Sequence, residues 1–251
     1  MTGKPDYNTS RNMPKDELRP GFQDRLVVIL VRPESLENIG LAARAMKNTG
    51  FRHLRVVGRR KLEVACPRTA VHAEDIVRQA LFFADLGSAV ADLQVVFAST
   101  AKARKNYSRL SFDGAVAKML SLSPPAKIGL LFGNERTGLT SDELRFSNFR
   151  FTIPQASRQP SYNLAAAVAI TLFELFQQGS GGHVPSSPLA AEPPISRAAQ
   201  MECVSLILAK LEERGFIQAT NKRHTTEMIY DLFGRLAMTD RDRRLLLALF
   251  S

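Results

Sequence analysis

Ile128-Gly129-Leu130-Leu131-Phe132-Gly133-Asn134-Glu135-Arg136-Thr137-Gly138 is the stretch on which the fold turns. The apolar run 128–132 reads as a buried strand, too short for a core helix and bounded by glycine. Gly133 and Gly138 then bracket polar side chains, and glycine there permits positive φ and close approach of a ligand to the main chain. Thr140 and Glu143 stand at capping-box spacing for a short helix. Beyond it, 149–153 predicts a second strand, stopped by Pro154. A polar loop over 155–162 leads to a long helix opening at Asn163. Two strand-end loops this close in sequence line one pocket if the sheet is parallel, because such sheets bind ligands at their carboxyl edge.

Working back toward the N-terminus, strands and helices alternate. Residues 26–31 (LVVILV) predict a buried strand and 32–37 a loop. A helix follows over about 38–49, closed by Gly50 just past its end. Its apolar positions Ile39, Ala42, Ala43 and Met46 leave Arg44 and Lys47 on another face. A strand is expected at 54–57, a basic loop at 58–69, a helix at 75–83, a strand at 93–98 and a helix at about 113–122. This alternation predicts an α/β fold with a parallel sheet covered by helices on both faces. Residues 1–24 read as a loose arm, 25–178 as the sheet domain, and 179–194 (GSGGHVPSSPLAAEPP) as a linker. Residues 195–251 read as a small all-helical extension, with helices at 196–214, 225–237 and 239–250 whose apolar residues keep helical spacing. A unit of that size has little core of its own, so docking on the main domain or on a second chain is expected.

The bulk properties remove whole classes. No apolar run approaches the length of about 18 residues that crosses a bilayer. The polar N-terminus is not a secretory signal. Cys66 and Cys203 stand far apart and the four histidines are scattered, so neither a disulfide framework nor a metal site is expected, and a reduced cytoplasmic location follows. Of the formal charge of +10, residues 25–177 carry +9, as 21 basic against 12 acidic groups. Runs such as Arg59, Arg60, Lys61 and Lys102, Arg104, Lys105 suit a polyanion, although a solvated basic face reads the same way. Neither G-x-G-x-x-G nor a P-loop follows a strand, which argues against dehydrogenases and nucleoside triphosphatases.

Three polar stretches remain, each directly after a strand: Asn38-Ile39-Gly40 through Arg44 to Asn48, the Gly133–Gly138 loop, and Ile153-Pro154 followed by Ser161-Tyr162-Asn163-Leu164-Ala165. Their order and spacing over residues 25–177 resemble motifs one to three of the TrmH (SpoU) branch of the SPOUT RNA methyltransferases. The helical tail extends the similarity to the TrmJ subgroup, which methylates the ribose 2′-oxygen of tRNA at nucleotide 32. The resemblance implies a C-terminal trefoil knot that holds S-adenosylmethionine, a homodimer with the active site at the subunit interface, and tRNA as partner. It also implies roles for particular residues. Arg44 would be the catalytic arginine near the 2′-hydroxyl, supported by Asn38, Glu135, Ser161 and Asn163. The cofactor would be gripped around Ser99, Thr100, Ala101, Gly133, Ile153, Ser161, Tyr162 and Asn163. Tyr162 stands where relatives commonly have Leu. The basic runs become phosphate contacts. Asn38 and Asn163 also read as helix caps, and Glu135 as a turn residue. Ribosomal RNA as target, or a non-catalytic RNA-binding relative, are the rival readings.

Overall fold

The strands β1 (Leu26–Val31) and β5 (Ile128–Phe132) bury every residue, as continuous Val/Ile/Leu runs do when helices cover both faces of a sheet. They pair in parallel at the centre of a six-stranded sheet with β2 (His53–Val57), β3 (Leu81–Phe83), β4 (Val95–Ser99) and β6 (Phe149–Phe151). The order is β3-β2-β1-β5-β4-β6 and every pair is parallel. All six strands therefore present their carboxyl ends at one edge. The computed structural model describes residues 21–59, 68–101, 109–156, 161–181 and 193–250. The terminal arm up to residue 20 and most of the expected linker, 182–192, lie outside them.

Alternation along the strands sends one set of side chains to each face. Leu26, Val28 and Leu30 join Ile128, Leu130 and Phe132 under α1 (Leu36–Asn48), α4 (Phe112–Ser121) and α6 (Leu164–Gly181). Val27, Ile29, Val31 and Leu131 pack on the other face with α3 (Leu86–Val90) and Leu144 of α5 (Ser141–Leu144). The capping box at Thr140 and Glu143 is formed as the sequence predicts, and Gly50 stands just beyond α1 with φ +80.

The chain departs from expectation at four places. First, α1 starts at Leu36 because Ser35 is its N-cap, accepting from the Asn38 N–H. Asn38 therefore lies inside the first turn and is not a cap, which releases its side chain for other bonds. Second, the helix expected over 75–83 is only α2 (Glu74–Gln79). Ala80 turns extended, and Leu81–Phe83 become an edge strand by pairing with Arg55–Val57. Pairing with an open sheet edge overrides local helical pattern there. Third, α3, capped by the Asp85 side chain, was not anticipated. At the C-terminal end of the domain, α6 runs on to Gly181, into the segment expected as linker.

The tail forms α7 (Arg197–Glu213), α8 (Lys222–Gly234) and α9 (Asp240–Phe250) around Cys203, Ile207 and Met238. It is fastened to the sheet by buried polar groups. Arg150 of β6 donates to Asp231 of α8 at 2.8 Å, both side chains under a tenth exposed. Asn148 donates to the Gly234 carbonyl at 2.7 Å and also reaches Gln200. Arg197 donates to the carbonyls of Arg145 and Phe146 and to Gln200. Burial pushes the Arg197 guanidinium down to about 10, the neighbouring Arg150 adding to the effect, so it stays charged at neutral pH. Removing one partner of a buried ion pair strands the other charge. Asp231→Ala is therefore expected to destabilise the fold by about 3–5 kcal/mol in urea unfolding, whereas the double change Arg150→Met, Asp231→Leu recovers most of that loss.

Candidate active site at the strand tips

The carboxyl ends of β4, β5 and β6 enclose a cleft of about 180 Å³. Its walls include Ser99, Thr100, Ala101, Gly133, Glu135, Ile153, Ser161 and Tyr162, all of them anticipated from the sequence. Phe132, Leu139, Leu164 and Ala167 add apolar surface, and Thr137, Thr152 and Gln155 add polar groups. The tips of β4 and β6 are tied together: Thr100 N–H donates to Phe151 at 3.0 Å, and the Thr152 hydroxyl donates to the Thr100 carbonyl at 2.6 Å.

The loop after β5 owes its shape to Asn134. The Asn134 Oδ1 accepts from the N–H groups of Arg136 and Thr137 at 3.0 Å and from the Thr137 hydroxyl. Gly138 closes the turn by donating to the Asn134 carbonyl at 2.8 Å, with its own φ at +67. Gly133 allows the two limbs to meet, for a Cβ on it would lie 2.4 Å from the Leu139 nitrogen.

A chain of side chains then joins all three polar stretches. Glu135 accepts from Asn38 Nδ2 at 2.8 Å and from the N–H groups of Glu34 and Ser35. Asn38 Oδ1 accepts from Asn163 Nδ2 at 3.1 Å, and Asn163 Oδ1 caps α6 by accepting from Ala165 and Ala166. Asn163 thus combines the capping role with a tertiary bond. Burial raises the Glu135 carboxyl, but the bonds from Glu34, Asn38 and Ser35 outweigh it and hold the group below the ordinary carboxylate value. It is ionised at neutral pH with its lone pairs committed to these donors, so it organises the loops.

The remaining anticipated residues fall elsewhere. Arg44 is exposed on the outer stripe of α1 with Leu41 and does not line the cleft of its own chain. Of the wall residues, Ser161 is exposed at the rim, and the Tyr162 hydroxyl donates to the Pro154 carbonyl at 2.9 Å. Arg59, expected on an RNA face, donates to the carbonyls of Pro33 and Glu34. Arg60, Lys61, Lys102, Arg104 and Lys105 lie outside the described residues. No group of metal-ligating side chains occurs among the described residues, and no helix among them is long and apolar enough to cross a membrane. Sequence reasoning missed Asn134 and Thr152. Asn134 was detectable as an Asx residue between glycine and a polar turn; Thr152 matters only because β4 and β6 are neighbours.

A parallel sheet with an open, mixed polar and apolar cleft at its strand tips is the arrangement in which α/β proteins bind their ligands. Residues 25–173 match the SpoU rRNA Methylase family, and the chain belongs to it. It is accordingly an RNA methyltransferase whose methyl donor is S-adenosylmethionine. The lining fits that donor: apolar walls suit the purine, and exposed strand-tip main chain suits its polar edges. The chain is 31% identical over 215 residues to the tRNA (cytidine-2′-O-)-methyltransferase TrmJ of Methanocaldococcus jannaschii, covering 83% of this chain and 89% of the relative. It is 29% identical to the tRNA (cytidine/uridine/adenosine-2′-O-)-methyltransferase TrmJ of Pseudomonas aeruginosa, covering 89% and 91%. Among solved structures, TrmJ from Z. mobilis ZM4 superposes with a TM-score of 0.73 at 27% identity, over 89% of this chain and 96% of that one.

Two measurements test this geometry. Gly133→Ala drives a methyl into the Leu139 backbone and is expected to weaken S-adenosylmethionine binding at least ~10-fold by calorimetry. Because the folded Glu135 sits below its ordinary value of 4.5, the stability it adds is complete above that pH and is lost as pH falls through the folded value. The gap in melting temperature between wild type and Glu135→Gln should therefore be widest at neutral pH and close in acid.

Proposed function

We propose that this chain methylates the ribose 2′-oxygen of tRNA, at cytidine or uridine 32 of the anticodon loop, as a homodimer whose active site lies at the subunit interface. The carrying observation is the Glu135–Asn38–Asn163 hydrogen-bond chain, which draws the three motif-bearing loops to one cleft. Support for tRNA over ribosomal RNA comes from similarity that runs through the tail as well as the sheet domain: the two TrmJ relatives above are matched over 83% and 89% of this chain. The family description names rRNA, which keeps a ribosomal target as the second reading. A trefoil-knotted C-terminal part of the sheet domain belongs to the same proposal, as do the division into a sheet domain and an appended helical module, and a cytoplasmic location.

When bound, S-adenosylmethionine supplies a methyl group already activated as a sulfonium. The strand-tip residues Ser99, Thr100, Ala101, Gly133, Ile153, Ser161 and Tyr162 would hold it, with Asn163 fixing the mouth of α6. The protein's remaining task is to align the ribose hydroxyl and stabilise the charge it develops, and alignment alone supplies a large part of such rate enhancements. Arg44 performs the second task. Its guanidinium would bind the neighbouring phosphate and stabilise the forming alkoxide, while the hydroxyl proton passes to water. Because Arg44 faces outward from its own cleft, a second copy of the chain must present it. The exposed apolar side chains Leu41 on α1 and Phe173 on α6 favour such a contact. Arg59, Arg60, Lys61, Lys102, Arg104 and Lys105 would grip the phosphate backbone.

Mass mapping of ribose methylation in tRNA and rRNA from cells with and without the gene tests the target: a mark lost from tRNA alone supports the reading, and one lost from rRNA alone rejects it. For purified enzyme, Arg44→Ala should lower the methylation rate about 10²–10³-fold, and Arg44→Lys should retain part of it. Equal rates in all three proteins would remove Arg44 from the chemistry.

A further inference from the structure

Arg32, at the tip of β1, has φ 52, and it shares positive φ only with His72 among the described non-glycine residues. An arginine holds that conformation unfavourably, so the contacts around it must enforce it. Its N–H donates to the Val57 carbonyl at 2.9 Å. Its carbonyl accepts from Asn134 Nδ2 at 2.9 Å. Its guanidinium forks onto Glu143, Nε to Oε1 at 2.7 Å and Nη2 to Oε2 at 2.9 Å, and Nη2 also reaches the Gly138 carbonyl at 3.4 Å. Gly58, itself at φ +79, leaves room for the side-chain stem: a Cβ there would meet Arg32 Cγ at 3.0 Å.

These bonds grip the cleft loop at two points and the helix that follows it at a third. Asn134 shapes the turn from within and is held by the Arg32 carbonyl. Gly138 ends the turn and is held by the guanidinium. Glu143 anchors the following helix: its Oε2 accepts from Thr140 N–H at 2.7 Å while both its oxygens take the Arg32 fork. Neither Arg32 nor Glu143 lines the cleft. We infer that the Arg32–Glu143 pair is a positioning device that sets residues 133–139 in their ligand-binding conformation before S-adenosylmethionine arrives. The inference rests on the assignment of this cleft to that cofactor. Bidentate geometry explains why arginine stands there, since lysine offers one point charge and cannot span two carboxylate oxygens. A loop fixed in advance saves the ordering that binding would otherwise require.

The test uses the full-length chain with S-adenosylmethionine as titrant, and Arg32→Gln, Arg32→Lys, Glu143→Gln and the double variant Arg32→Gln, Glu143→Gln. Each Gln variant should raise the cofactor Kd about tenfold, with Arg32→Lys between it and wild type. The double variant should be no worse than the poorer single one, because both changes break one linkage. The KM for RNA should stay within about twofold. Without cofactor, amide hydrogen exchange in residues 133–139 should quicken while β1 and β5 stay protected. Should Arg32→Gln fail to fold, Glu143→Gln and Arg32→Lys carry the same readings. Unchanged exchange in 133–139, or unchanged cofactor affinity in variants of a wild type that binds, would overturn the inference. A wild type that fails to bind would instead overturn the assignment of the cleft, and this inference with it.

Discussion

The carboxylate of Glu135 faces the amide of Asn38, and that amide faces Asn163. Through these two contacts, segments about a hundred residues apart are held at one point. The requirement behind them is satisfaction of buried polar groups. Asn38 is 7% exposed inside the first turn of α1, where its own helix offers its side chain nothing. Its donor and acceptor must then find partners across the sheet. The loops after β1 and β5 and the start of α6 are thereby fixed relative to one another. A cleft whose walls come from separate strand tips keeps its shape only under such cross-links.

The strand β6 transmits a second constraint. Its Arg150 side chain and that of Asn148, just before the strand, are held by the helical tail, while the backbone at its other end meets Thr100 and leads into Ile153 of the cleft. A three-residue strand at the sheet edge would ordinarily fray. Here an ion pair, two amide bonds and the carbonyl contacts of Arg197 hold its base, so the cleft wall it forms rests on a fixed support. The docking surface of the tail includes the strand on which one wall depends.

Arg44 shows how a residue anticipated for a site can stand apart from the cleft in a single chain. It stands on the same helix as Asn38, six residues on, which turns it well away from the Asn38 direction at 3.6 residues per turn. Helical geometry therefore separates the residue that organises the cleft from the one proposed to act on the ribose. The same geometry places Arg44 beside exposed Leu41, on a face that a second copy can meet. Arg59, read as an RNA contact from its basic run, also donates to the carbonyls of Pro33 and Glu34.

Much of this protein was legible in the sequence because the physics involved is local. Apolar runs at 26–31 and 128–132 predict buried parallel strands, Gly50 marks a helix end, and Thr140 with Glu143 spells a capping box. The cleft residues Ser99 to Ala101, Gly133 and Ile153, at or just beyond the ends of strands, were reachable through the resemblance to the family's motifs. What the sequence left open depended on neighbours far along the chain. Leu81–Phe83 became a strand only because β2 had a free edge. Asn38 left the cap role to Ser35 and found Glu135 instead. Arg150 and Asp231 paired because the tail folds back onto β6. Local propensity acts through adjacent residues and is written in order along the chain, whereas a hydrogen bond spanning about a hundred residues exists only once the sheet has brought its ends together.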